Sequence, residues 1–329
     1  MKSTPTRAIP VASAAAITIL FWGSAFAGIR AGLHSYSPAH LALLRFFSAS
    51  VILAIFAAAN RGHGTPWRLR ARGTLSPSHM RRPALRDIPL IFLLGFLGFA
   101  FYAVALNIGE LRIPAGPAAV LIQTIPIWTA LAAVIFLREK LRPWGWVGIA
   151  VSFAGAVVIG FGKGSGVALS WGAALILAAA ISGSAYNIIQ KLMLDRYRPV
   201  EITTYAIWAG TVLLLPFSGG LIGQIRSAAL GDTIAVIYLG AGPAALAYAT
   251  WAVVLSRLPA SRASTFLFVV PVVAFLIGWI WLGEVPPWID LVGGALAMGG
   301  VALVNTLGRA RRQGRRQVSP GPAARSSVR

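Results

Sequence analysis

Arg-Ile-Pro-Ala-Gly at residues 112–116 opens an apolar run that carries Pro126 and ends at Leu137-Arg138-Glu139. Arg-Leu-Pro-Ala-Ser at 257–261 opens a second run that carries Pro271 and ends at Leu282-Gly283-Glu284. One offset of 145 places Arg112 on Arg257, Pro114 on Pro259, Pro126 on Pro271 and Glu139 on Glu284. It continues without a gap, setting Gly148 and Gly155 on Gly293 and Gly300. Shared apolar character does not produce matching Arg, Pro, Gly and Glu. The chain is an internal duplication.

Apolar runs of about 20 residues, each long enough to cross a bilayer as a helix, recur from Pro10 to Leu307. With 57% hydrophobic and 11% charged residues, the composition is that of an integral membrane protein, not a soluble domain. The net charge of +21 is spread over loops and tails, which argues against a nucleic-acid partner. There is no Cys, and His34, His40, His63 and His79 form no metal-ligand spacing, so neither a metal nor a cofactor is expected.

Lys2 and Arg7 ahead of an apolar run, with Ala25-Phe26-Ala27 after it, imitate a signal peptide. Gly23-Ser24-Ala25-Phe26 is echoed by Gly183-Ser184-Ala185-Tyr186, where cleavage makes no sense, so the first span is read as retained. Ten transmembrane helices follow, near 9–30, 38–59, 88–108, 114–137, 143–162, 168–190, 201–222, 233–255, 260–283 and 287–307. The segment 60–87 is a basic loop whose role the sequence leaves open, and 308–329 a basic disordered tail.

If the N-terminus is cytoplasmic, the cytoplasmic segments hold 24 of the 29 Lys and Arg, and the outer loops hold three. That asymmetry predicts an N-in/C-in orientation. Five spans separate equivalent positions, so the two copies enter from opposite faces. The expected fold is therefore all-α, with two inverted five-helix repeats, 1–162 and 168–307, the architecture of secondary transporters.

Trp22-Gly-Ser-Ala-Phe26, the Pro126 helix ending in Leu-Arg-Glu139, the Gly-rich helix after it and their repeats resemble the drug/metabolite transporter superfamily. Within it the likeness is to the ten-helix type built from two EamA domains, over roughly 10–307. The resemblance implies a plasma-membrane carrier, often an exporter of amino acids or related metabolites. It also implies a central cavity between helices one, three, four, six, eight and nine. Nucleotide-sugar carriers share the broader fold, but this compact, Arg- and Ala-rich chain points to a bacterial inner membrane.

All eight carboxylates fall at helix ends or in loops, so the sequence shows no proton carrier, and uniport, exchange and proton coupling stay open. Glu139 and Glu284 precede a new helix, either capping it or pairing with a basic loop residue as a gate. Arg45 reads as a snorkelling or ion-paired side chain, or as a substrate contact. Arg30 reads as an interfacial anchor or a vestibule residue. Pro126 and Pro271, placed mid-helix, predict kinks that free backbone carbonyls.

The cavity candidates are polar or aromatic residues at mid-depth. Gln123 lies one turn before Pro126; Tyr186, Asn187 and Gln190 are read as one polar strip; Tyr102, Tyr248, Trp251 and Trp22 supply rings. Such a charge-poor pocket suits a small zwitterion or polar metabolite. The Gly-rich fifth and tenth helices are expected as scaffold or as a dimer surface, leaving monomer and homodimer open. The partners expected are thus a small-molecule substrate and the lipid bilayer. The alternatives are a passive channel, a carrier of drugs, sugars or polyamines, and, with no acid cluster to support it, a membrane-embedded enzyme.

Overall fold

The structure, a computed structural model, describes residues 10–59, 82–137, 142–161, 171–194, 196–257 and 266–308. Every regular element among them is helical. The first part of the chain forms α1 (Val11–Gly32), α2 (Pro38–Ala59), α3 (Ile88–Gly95), α4 (Phe101–Glu110), α5 (Ala115–Ile122), α6 (Ile125–Leu137) and α7 (Pro143–Phe161). The second part forms α8 (Trp171–Met193), α9 (Pro199–Leu214), the short α10 (Leu221–Ser227), α11 (Leu230–Leu239), α12 (Ala247–Arg257), α13 (Val270–Leu282) and α14 (Trp288–Leu303). Pro38, Pro143 and Pro199 each stand at the first position of a helix, where the missing N–H would have no partner anyway.

Among the described residues, eight helical stretches are long and apolar enough to cross a membrane, and Pro143–Ile159 and Leu267–Leu282 are shorter apolar helices. Their outer faces carry bare large hydrophobics such as Ile55, Ile135 and Ile280, the last 80% exposed. An apolar surface of that kind calls for lipid rather than water.

Two spans are bulged within their length, and a third π-helical turn, Val304–Gly308, ends α14. α3 and α4 join through a π-helical turn at Phe96–Ala100, and α11 and α12 through one at Gly240–Leu246. With the offset of 145, Phe96–Ala100 falls inside the second bulge. Two others are broken where kinks were expected. α5 stops at Ile122, a turn at Gln123–Thr124 intervenes, and Pro126 is the second residue of the new helix α6. In the other copy a 3-10 turn at Leu267–Val269 precedes α13, and Pro271 is again second in line. Proline is compatible with a helix start, so the chain restarts there instead of bending.

The packing partners exchange reciprocally. α1 lies against α11, α12 and α13, while α8 lies against α4, α5 and α6. α2 meets α9, α5 meets α13, and α7 runs along α14. Glycine makes the crossings close: a Cβ on Gly23 would stand 2.6 Å from Val273 of α13. Along α7 and α14, a Cβ on Gly155 would stand 2.3 Å from the Ala297 nitrogen, and one on Gly300 2.4 Å from that of Ser152. Helices expected as scaffold or dimer surface are thus pressed backbone to backbone within the chain.

Candidate functional site

A bulged or broken helix leaves backbone carbonyls without their usual partners, and a buried carbonyl needs another donor. Side chains reach across to supply it. Trp22 on α1 donates Nε1–H to the Pro243 carbonyl inside the second bulge at 3.2 Å. Ser182 on α8 donates its hydroxyl to the Leu97 carbonyl inside the first bulge at 2.7 Å. The offset of 160 that matches Gly23 to Gly183 also matches Trp22 to Ser182. At the breaks, Gln123 donates Nε2–H to the Leu267 carbonyl at 2.6 Å. Gln123 thus fastens one broken helix to the other instead of standing free.

Rings fill the space beside the bulges. Trp22 contacts Tyr248 edge-on at 5.3 Å between centroids and Trp251 at 5.5 Å. Phe99, fully buried in the first bulge, touches Tyr248 at 5.7 Å, Tyr186 at 5.5 Å and Phe46 at 5.3 Å. Tyr102 is half-buried and stands within electrostatic range of Tyr248 and Arg45. The structure therefore brings Trp22, Tyr248 and Trp251 into one cluster and joins Tyr186 to it through Phe99. Phe99 could not be singled out among sixteen phenylalanines before the bulge was visible.

The expected polar strip on α8 divides. Gln190 donates to the Tyr186 hydroxyl at 2.8 Å and to Thr203 at 3.0 Å. Asn187, one residue on and so about 100° around the helix, is exposed. Tyr186 and Gln190 share a face, and Asn187 leaves it. On the opposite side, Thr18 and Thr250 form a buried hydroxyl pair at 2.8 Å that had not been foreseen.

At the end of the bundle where α1 stops, Arg30 pairs through Nε with Glu284 at 2.9 Å and donates Nη1–H to the Glu110 carbonyl. Glu284 also accepts the Ala115 N–H at 2.9 Å. It caps an N-terminus, but that of α5 rather than of its own following helix as expected. A cleft of about 350 Å³ opens beside this pair, lined by Gly116, Phe275 and Pro286 among others. Glu139, at the equivalent place, lies outside the described residues.

Two charged residues depart further from expectation. Arg45 is only 7% exposed, so it does not snorkel; its guanidinium sits 5.2 Å from the centre of the Phe46 ring, and Nε has no hydrogen-bond partner. Glu110, placed by sequence at a helix end, is fully buried, and neither carboxylate oxygen has a partner. At the opposite end, buried Asp87 pairs with Arg196 and accepts the Tyr197 hydroxyl at 2.9 Å. Asp232, which the offset of 145 matches to Asp87, accepts from Ser35 at 2.5 Å. No group of three or more His, Cys, Asp or Glu that could hold a metal occurs among the described residues. What the arrangement offers a small molecule is aromatic faces and backbone carbonyls.

Comparison with known proteins places these features in a family context. The EamA-like transporter family matches twice, over residues 9–161 and 170–306. The "Uncharacterized transporter YdfC" of Bacillus subtilis (strain 168) is 39% identical over 285 residues, covering 87% of each chain. The "Probable terminal-alkyne amino-acid exporter" of Streptantibioticus cattleyicolor is 39% identical over 298 residues, covering 90% of this chain and 94% of its own. A solved crystal structure, 19% identical, shares the fold with a TM-score of 0.58 over 89% of this chain and 95% of that one.

Proposed function

The chain belongs to the EamA-like transporter family, and on that footing we propose that it is a secondary carrier exporting amino acids or related small metabolites. It works by alternating access between two inverted five-helix halves, 1–162 and 168–307, with both termini in the cytoplasm of a bacterial cell and the ten spans in its inner membrane. It carries out no chemical step on its cargo and needs no cofactor.

The observation that carries this reading is the pair of bulges and the break at Leu267, each with a carbonyl held by a side chain from the opposite half. A carrier must expose polar groups to cargo in turn, and backbone carbonyls freed at mid-helix are such groups. Held by single hydrogen bonds of about 1 kcal/mol each, they are available for exchange. The ring cluster of Trp22, Tyr248 and Trp251 supports an aliphatic or aromatic side chain on the cargo, and the relative named as an amino-acid exporter supports the class.

Counterflow in proteoliposomes preloaded with single amino acids tests the proposal. Saturable exchange of one class is expected, falling about tenfold or more in Tyr248→Ala, the equivalent of roughly 1.4 kcal/mol. Unsaturable conductance would overturn the carrier, and silence across the panel would remove the amino-acid assignment.

A further inference from the structure

Glu110 is the one carboxylate among the described residues whose two oxygens are both sealed from the surface and unpartnered. The protein itself encloses it, so the enclosure does not depend on lipid. An ionised carboxylate without hydrogen bonds or a paired cation costs several kcal/mol in such a place, and the neutral acid costs much less.

Its surroundings supply a cation that is already engaged. From α1, Arg30 touches the Glu110 carbonyl but gives its charge to Glu284. From α2 comes Arg45, from α4 itself Tyr102, and from beyond α13 Glu284. α5 and the bulge at Phe96–Ala100 bring no charged side chain, and the nearby end of α8 brings none either. Arg30 thus stands between two carboxylates and in this closed arrangement serves only one.

We infer that Glu110 is a proton-binding site coupled to the outer latch: ionised, it draws Arg30 away from Glu284 and holds the latch open, and protonated, it releases Arg30 to close it. The inference rests on the transport reading and its orientation. A proton from outer water adds to a Glu110 carboxylate oxygen; Arg30 then pairs with Glu284, and the end shuts. When the opposite side opens and water reaches Glu110, the nearby Arg45 guanidinium favours the carboxylate, and the proton leaves to that water. One proton moves inward per cycle, which makes the exporter a proton antiporter.

The absence of Cys gives a background-free test. Phe275 lines the cleft beside the latch, and Val285 stands on its rim, 73% exposed. The rate at which a water-soluble maleimide labels Phe275→Cys, divided by the rate for Val285→Cys at the same pH, reports opening without the thiol's own titration. The expected result is a ratio that falls several-fold as pH is lowered, stays low at all pH when Glu110→Gln is added, and stays high at all pH with Glu284→Gln. A Glu110→Gln protein that keeps the pH dependence overturns the inference. So does one that labels fast at all pH, because a neutral side chain at 110 must close the latch.

In proteoliposomes, Glu110→Gln, with its outer end held shut, is expected to lose both counterflow and accumulation driven by a pH gradient, and the titratable Glu110→Asp to regain both; pH-driven accumulation retained in Glu110→Gln overturns the coupling. If the wild-type chain exchanges no amino acid, the amino-acid assignment fails, while the labelling series still decides the switch.

Discussion

α1 and α8 are two copies of one helix, and they are used differently. Both carry Gly-Ser-Ala followed by an aromatic residue, and both cross into the opposite half. Each donates a hydrogen bond to a bulge carbonyl from the same position, Trp22 in one and Ser182 in the other. Near their ends they diverge. Arg30 of α1 makes an ion pair with Glu284, whereas Gln190 of α8 makes neutral hydrogen bonds to Tyr186 and Thr203. The backbone plan has been kept in both copies, while at this matched position the charge stands in only one of them. A symmetric skeleton therefore does not imply two equal gates.

Replacing residues of one helix with those of the other puts the comparison under strain. Trp22→Ser gives α1 the residue of α8 and is expected to have the largest effect. It removes a half-buried ring from the cluster with Tyr248 and Trp251, at a cost of about 3 kcal/mol. Thermal unfolding in detergent and counterflow should both report it; if both stay at wild type, position 22 is no more than a hydrogen-bond donor.

Arg30→Gln should cost less, roughly 1 kcal/mol after allowing for the partial exposure of the pair. Its signature is functional: the labelling ratio at Phe275→Cys rises, and Glu284→Gln adds nothing further in the double variant. Additive effects would mean that the two residues do not act as one latch.

Asn187→Ala installs the alanine that α1 carries at position 27. Because Asn187 is exposed, the change is expected within about 0.5 kcal/mol of wild type, with exchange unaltered. A clear loss of exchange would restore the undivided polar strip.

The duplication, the helical character of the spans and the proline punctuation were legible because they are written in Arg, Pro and Gly, residues whose positions are not interchangeable. Other features depend on partners distant in the chain. Pro126 reads the same from sequence whether a helix bends or restarts, and the distinction came from the turn at Gln123–Thr124. Glu110 looks like a loop residue because it follows an apolar run and stands just before Arg112 and Pro114. Its burial comes from helices packed against α4 from elsewhere in the chain, which no local pattern reveals. Asn187 stands a single step of helical rotation away from the face that Tyr186 and Gln190 share. The bulges left Gly95, Gly98, Gly240, Gly242 and Pro243 as local marks, none of which by itself separates a widened turn from an ordinary one.

The seam between α7 and α14 has a consequence for heat. Gly148, Gly155, Gly293 and Gly300 have no rotamers to immobilise, so closing this contact costs less side-chain entropy than a contact of interlocking leucines. The entropic penalty that grows with temperature is correspondingly small there. Release of side-chain rotamers on warming therefore favours opening this seam less than it favours opening the ring cluster.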